Sequence, residues 1–266
     1  MTWKVAGNVE KLLLLGLNYT RVLLIQSCTL SKNQLYMYLL IPAAGMGRRM
    51  GSSRNKLLLT LLDKPLIAWT LLAAQASERI RWIGVIVQQE DWADLQEIVK
   101  NLSLTKPIHF ILGGATRQDS VYNGLQSLPA IAEHVLIHDG ARCLVTPTLF
   151  DRCAEAILHC QGLIAAVPVK DTIKIVDQKT HLITNTPERR QLWAAQTPQA
   201  FEVERLKQCH AEGRRLGWEV TDDAALFEQC QLPVQIVEGE ETNLKVTTPV
   251  DLALAEFILR QRLGNQ

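Results

Sequence analysis

From Tyr38 onward, short apolar runs alternate with stretches in which apolar residues recur at helical spacing. That rhythm is the pattern of a parallel sheet flanked by helices, and it predicts an α/β fold. "YLLIPA" at 38–43 is a first buried strand, and "LIAWTLLAAQAS" after Pro65 is a helix with proline near its start. "WIGVIVQ", "IHFIL", "HVLIHD" and "GLIAAVPV" continue as strands, separated by the helical stretches "EDWADLQEIVKNL", "ATRQDSVYNGLQSL" and "TPTLFDRCAEAILHC". The rhythm breaks at Lys170, where "KDTIKIVDQKTHLITNT" alternates apolar and polar residues about a polar turn, which predicts an antiparallel hairpin protruding as an arm at about 170–190. The helical "VERLKQCHAEGRR" and "DDAALFEQC", strands in "PVQIVEG" and "NLKV", and a helix from Pro249 complete the chain.

Composition narrows the function. With 28 Lys+Arg against 27 Asp+Glu in 266 residues, and no long basic block, nonspecific nucleic-acid binding finds no support. The six cysteines form no C-x-x-C pair and no spacing suited to zinc, so they read as reduced thiols of a cytosol-like compartment. No apolar run reaches the length of a membrane-spanning helix. The first 36 residues stand apart: "KLLLLGLNYTRVLLIQ" is apolar but interrupted by Asn18, Thr20 and Arg21. Two readings of it are open, a targeting or membrane-surface stretch and upstream sequence joined by an early start codon. Met37 precedes the first strand as a native start would, so residues 1–36 are expected outside the core and 37–266 form the folded domain.

The first strand runs into "LLIPAAGMGRRMGSSRNK" at 39–56, with glycines at 45, 47 and 51. That spacing is not the dinucleotide fingerprint G-x-G-x-x-G, and the chain holds no Gly-Lys-Ser or Gly-Lys-Thr of a Walker loop. Glycines let backbone N–H groups approach a ligand, and Arg48, Arg49 and Lys56 add positive charge beside them, which suits a triphosphate. A tight turn with a solvated basic edge satisfies the loop alone equally well. Its companions decide between them: "DGAR" at 139–142, "LWAAQTPQAF" at 192–201, "TDDA" at 221–224 and "NLKVTTPVDLALAE" at 243–256. Together, in this order and from about Tyr38 to Leu263, they resemble the 2-C-methyl-D-erythritol 4-phosphate cytidylyltransferases of non-mevalonate isoprenoid biosynthesis.

The resemblance implies a Rossmann-like nucleotidyltransferase fold: a mixed, mostly parallel sheet flanked by helices, with the β-hairpin as a dimerisation arm. It implies transfer of CMP from CTP to 2-C-methyl-D-erythritol 4-phosphate with release of pyrophosphate, by a cytoplasmic homodimer with a shared active site. Pro42, Ala43, Ala44, Gly45 and Gly47 would bind the nucleotide with Gly114, Ala115 and Ser120, the last three facing the cytosine. Arg49, Lys56 and Lys245 would be catalytic cations, and Asp139 a catalytic carboxylate able to hold Mg²⁺. Arg142, Thr172, Arg189 and Thr197 would bind the polyol phosphate, with Thr172 and Arg189 reaching it from the neighbouring subunit. Arg190, adjacent, is the alternative to Arg189. His138 is expected to be a strand residue and not a base. In "TDDA" the acid pair has the look of metalloenzyme chemistry, but a helix start capped by Thr221 accounts for it at least as well, so neither Asp222 nor Asp223 is given a catalytic role.

Four positions depart from the family pattern, Asn55, Leu57, Gly140 and Cys143, where Pro, Gln, Ala and Pro are usual. The nearest rival readings are a ribitol 5-phosphate cytidylyltransferase and a sugar 1-phosphate nucleotidyltransferase of another base preference. A noncatalytic nucleotide-sensing homologue is a third, and the joint presence of Arg49, Lys56, Asp139, Arg142 and Lys245 speaks against it.

Overall fold

The structure, a computed structural model, describes residues 36–45 and 55–264. The segment expected to stand outside the core, except Tyr36, lies outside these residues, as do Gly47, Arg48 and Arg49.

Strand β1 (Met37–Pro42) is followed by the short β2 (Thr60–Leu61) and β3 (Lys64–Pro65), which form a two-stranded hairpin of their own, and by helix α1 (Leu66–Ala76). β4 (Ile80–Val87), α2 (Trp92–Asn101), β5 (Ile108–Leu112), α3 (Arg117–Gln126), β6 (His134–Ile137), α4 (Pro147–Ala156) and β7 (Gly162–Pro168) continue the alternation. The arm is β8 (Ile175–Val176) and β9 (Ile183–Asn185), an antiparallel pair with every residue exposed. β10 (Trp193–Glu202), α5 (Val203–Leu216), α6 (Asp223–Gln229), β11 (Gln235–Glu238) and α7 (Pro249–Gly264) close the chain.

The main sheet has seven strands in the order β11-β7-β10-β6-β1-β4-β5. All neighbouring pairs are parallel except those of β10, which runs antiparallel between β6 and β7. The mixed, mostly parallel sheet expected from the sequence is therefore present. β1 and β4 are buried along almost their whole length, because helices cover both faces; that is why they read as unbroken apolar runs. On one face α3, α5 and α6 pack onto Leu40, Ile86, Val135 and Phe201. On the other, Leu66 of α1 and Ala255 and Leu259 of α7 gather around Cys143 and Leu144, with α4 resting on β7 and β10.

Two expectations are corrected. "NLKV" is not a strand. Its backbone is used elsewhere: Val246 N–H donates to Ala141 O at 2.9 Å, and the carbonyls of Asn243 and Val246 accept from the side chains of Arg142 and Lys56. The cap of α6 is Asp222, whose carboxylate accepts from Ala225 N at 3.1 Å, one residue after the expected Thr221.

The sheet turns at β1. Its sequence successor β4 lies on one side and β6 on the other, so the carboxyl ends of β1 and β6 flank the point where strand order reverses, the place where open α/β sheets leave a crevice. Towards the amino end of β6, Phe201 of β10 and Phe227 of α6 are fully buried with ring centroids 4.7 Å apart. Phe201→Ala should lower the unfolding free energy by about 3–5 kcal/mol, read as a lower urea midpoint with an unchanged slope.

Candidate active site

A cleft of about 750 Å³ opens at the carboxyl ends of β1, β4, β5 and β6. Pro42, Ala44 and Gly45 form one wall, Gly114 to Arg117 another, and Lys56, Asp139 and Lys245 converge between them. Of the residues expected to hold nucleotide, Pro42, Ala44, Gly45, Gly114, Ala115 and Ser120 all line it. Ala43 is buried beneath, its N–H donating to Ile86 O at 2.7 Å.

Asn55 ties the two ends of the glycine segment together. Its Nδ2 donates to Ala43 O at 2.7 Å and to Asp91 Oδ2 at 2.8 Å, while its Oδ1 accepts from Leu57 N at 3.0 Å. The departure from proline at this position thus replaces ring stiffness with a buried amide clasp. Leu57 and Gly140, two further departures, match each other: a Cβ at 140 would lie 2.9 Å from Leu57 Cδ1, so the larger residue at one position takes the space given up at the other. Lys56, next along, donates from Nζ to Val246 O at 2.9 Å.

The wall at 113–120 is a turn closed by a single hydroxyl. Ser120 Oγ accepts from Gly114 N at 3.0 Å and donates to Thr116 O at 2.9 Å. A side chain at 114 is impossible without moving backbone, since its Cβ would lie 2.4 Å from Asp119 Cβ. The only proton of Ser120 is committed to Thr116, so the one valence left at its oxygen is a lone pair, and a ligand can only donate to it.

The charged centre is Asp139, at the end of β6. Lys245 Nζ lies 2.6 Å from its Oδ2 and Arg117 Nε 3.7 Å from its Oδ1, and its side chain is 13% exposed. Burial would raise this carboxyl, but Arg117, Lys245 and Arg142 outweigh burial and hold it down at about 2. It is therefore an anion at any working pH. Below it lies a neutral layer: Asp139 N–H donates to Thr197 Oγ1 at 3.0 Å, and Thr197 Oγ1 lies 3.0 Å from His138 Nδ1. His138 Nε2 is 3.2 Å from Arg142 O. A carbonyl only accepts, so Nε2 carries the proton, Nδ1 accepts from Thr197, and the direction of the chain is fixed.

Thr197, expected on the substrate side, is 4% exposed, and its hydroxyl accepts from the Asp139 N–H and lies against His138 Nδ1, so it fixes the backbone that carries the carboxylate. His138, fully buried, is not a strand residue as expected: it lies one position past the end of β6. Arg142 donates from Nη1 to Asn243 O at 2.9 Å and from Nη2 to Ala195 O at 3.1 Å, joining the stretch before α7 to β10. Thr172 and Arg189 are exposed at the base of the arm, where Arg189 Nη1 donates to Lys170 O at 2.9 Å, and neither lines the cleft of its own chain. Sequence reasoning missed Arg117 and the clasp made by Asn55. The signal for Arg117 was its place at the start of a helix, where a cation opposes the helix dipole.

A cleft large enough for a nucleotide, holding a carboxylate ringed by cations at the switch point of a doubly wound sheet, is the arrangement of a nucleotidyltransferase. The comparisons narrow that class. The sequence model described as 2-C-methyl-D-erythritol 4-phosphate cytidylyltransferase matches residues 37–261, and the chain belongs to that family. It is 72% identical over 226 residues to the enzyme of that name from Nostoc sp. strain PCC 7120, covering 85% of this chain and 99% of that protein. Among solved structures it is similar to 4-diphosphocytidyl-2C-methyl-D-erythritol synthase from Anaerococcus prevotii, with TM-score 0.76 at 28% identity, covering 86% of this chain and 100% of that one. It is also similar to 2-C-methyl-D-erythritol 4-phosphate cytidylyltransferase from Thermus thermophilus, with TM-score 0.68 at 32% identity, covering 85% of this chain and 100% of that one.

The neutral layer has a pH signature. Burial pushes His138 down to about 4, below its ordinary value of 6.5. The unfolded chain therefore takes up a proton that the folded chain refuses, so stability is full above pH 6.5, falls as pH drops towards 4 and levels off below. The loss from this residue should be about 3 kcal/mol, and chemical denaturation of His138→Asn, which keeps an acceptor towards Thr197, should show a correspondingly flatter dependence between about pH 7 and 4.

Proposed function

We infer that this chain transfers CMP from CTP to 2-C-methyl-D-erythritol 4-phosphate, giving 4-diphosphocytidyl-2-C-methyl-D-erythritol and pyrophosphate. The observation that carries the reading at residue level is the pairing of Asp139 with Lys245 at the mouth of the pocket closed by Gly114 and Ser120. Ser120 offers only a lone pair. The cytosine edge presents an amino donor there, whereas uracil would present a carbonyl, so the hydroxyl selects the cytosine nucleotide.

In the reaction the substrate's phosphate oxygen attacks the α-phosphorus of CTP, one P–O bond forms, and the bond to the β-phosphate oxygen breaks with its electron pair leaving on pyrophosphate. A phosphate dianion is already a nucleophile at neutral pH, so no base is required. Charge grows on the α-phosphate oxygens and on the leaving group. Lys56, Arg49 and Lys245 oppose it, with Gly45 and Gly47 admitting the phosphates close to the backbone. Lys245, held by Asp139, is already oriented before substrate arrives, which is what makes its charge worth more in the transition state than in water.

Among the described residues no three acidic, histidine or cysteine side chains gather as a metal cage. Mg²⁺ is commonly held by one or two carboxylates together with substrate phosphates, and Asp139 fits that arrangement as the protein's share. The ion, when bound, neutralises charge on the triphosphate.

The arm supports a homodimer. Ile173, Ile175, Val176, Leu182 and Ile183 are all exposed on it, an apolar surface too large for a hairpin left in water. Thr172 and Arg189, with Arg190 as the alternative to Arg189, would enter the partner's cleft and hold the polyol phosphate. Arg142 contributes charge at the same centre. Among the described residues no helix is long and apolar enough to cross a membrane.

With Mg²⁺ and CTP, pyrophosphate should appear only when methylerythritol phosphate is added; turnover of ribitol 5-phosphate in its place would move the chain to the rival specificity. Lys56→Ala and Lys245→Ala should each cut turnover by about a hundredfold or more, and near-normal rates would remove the roles given to them. Ser120→Ala should narrow the preference for CTP over UTP by about tenfold, measured as the ratio of kcat/KM values, the scale of one lost hydrogen bond.

A further inference from the structure

A second row of charge runs inward from the cleft through residues to which the reaction as described gives no part. α3 begins at Arg117, behind a Thr116 cap that accepts from Asp119 N at 3.0 Å. A cation in this first turn faces the positive end of the helix dipole and needs anions in front of it to stay there. It has two. Nη1 lies 2.8 Å from Asp223 Oδ2, and Nε lies 3.7 Å from Asp139 Oδ1. Asp223 is 1% exposed, and its other oxygen is 3.0 Å from Nε2 of His210, itself fully buried. A carboxylate only accepts, so His210 donates from Nε2. Burial alone would raise the Asp223 carboxyl, yet Arg117 and His210 together hold it below the ordinary carboxylate range. From core to cleft the row reads His210, Asp223, Arg117, Asp139, Lys245, with charges alternating from Asp223 outward.

We propose that Arg117, anchored from behind by Asp223 and His210, is the positioning residue for Asp139. It holds the Oδ1 side of that carboxylate while Lys245 holds Oδ2, so the pair stays aimed into the cleft when substrate charge enters. The proposal rests on the role given to Asp139 in the transfer. Lysine cannot take the place of arginine here: the guanidinium reaches Asp223 with one nitrogen and Asp139 with another, whereas an ammonium is a single point. A residue needed only to neutralise Asp223 would tolerate the exchange.

That difference is the test. Arg117→Lys, Arg117→Gln, Asp223→Asn and Asp139→Asn are assayed with CTP, methylerythritol phosphate and Mg²⁺, alongside thermal melting. For Arg117→Lys the expected result is a melting temperature within a few degrees of wild type, KM for CTP within about twofold, and kcat lower by about tenfold, the cost of one mis-set charge contact near about 1.4 kcal/mol. Arg117→Gln should lose both stability and kcat. Asp223→Asn, which leaves Arg117 present but unanchored, should lower kcat severalfold at unchanged KM for CTP, and it decides the matter if the Arg117 variants do not fold. Wild-type kcat in Arg117→Lys or in Asp223→Asn overturns the proposal and makes the row a fold element. Wild-type turnover in Asp139→Asn is a separate failure, which removes the role of Asp139 and the clamp with it.

Discussion

Holding one ionised, largely buried carboxylate, Asp139, at the floor of an open cleft is the constraint that organises the rest of the molecule. Burial alone pushes its pKa up and works against the charged form. It stays charged because three cations reach it from three stretches of chain: Arg117 from the turn after β5, Arg142 from the loop after β6, and Lys245 from the stretch before α7. Each of those stretches is shaped by that duty. The residues before α7 stay out of the sheet because their carbonyls are given to Lys56 and Arg142. The sheet reversal at β1 brings the ends of β1, β5 and β6 close enough for the three to meet.

The fold was legible because parallel strands covered on both faces leave unbroken apolar runs, and β1 and β4 show them plainly. What was not legible lies where a segment's backbone is satisfied by side chains. "NLKV" has the alternation of a strand, and nothing in its own residues reveals that its carbonyls are claimed by an arginine 101 positions away and a lysine 190 positions away. The resemblance identified the residues of the cleft but not the depth at which each sits. Thr197 reads from its motif as a substrate contact, and nothing in the motif reveals that its hydroxyl also bonds the Asp139 N–H and His138. Arg117 passed unnoticed inside a glycine turn whose small residues drew the attention, although a cation at the head of a helix is a local contradiction that calls for a partner.

The departures from the family pattern are also informative at the level of packing. Asn55 gives up a proline's rigidity and recovers it through three hydrogen bonds made by one buried amide. Leu57 fills the space that a Cβ at position 140 would need. Both sets of contacts lie beside Lys56 and brace the backbone that carries it.

The two layers under the cleft explain why histidine is excluded from the chemistry while standing next to it. A protonated His138 would put a positive charge beneath Asp139 and compete with Lys245 for its field. Burial prevents this by holding the ring neutral, and the hydrogen bond to Arg142 O fixes which nitrogen carries the proton. The ring then serves as an acceptor for Thr197, whose hydroxyl accepts the backbone N–H of Asp139. A mobile proton at this point would allow the carboxylate to swing with pH, and a reaction whose nucleophile is already ionised gains nothing from one. The neutral layer fixes where the carboxylate stands, the charged row fixes which way it faces, and the cleft receives a phosphate chain into a field set before it arrives.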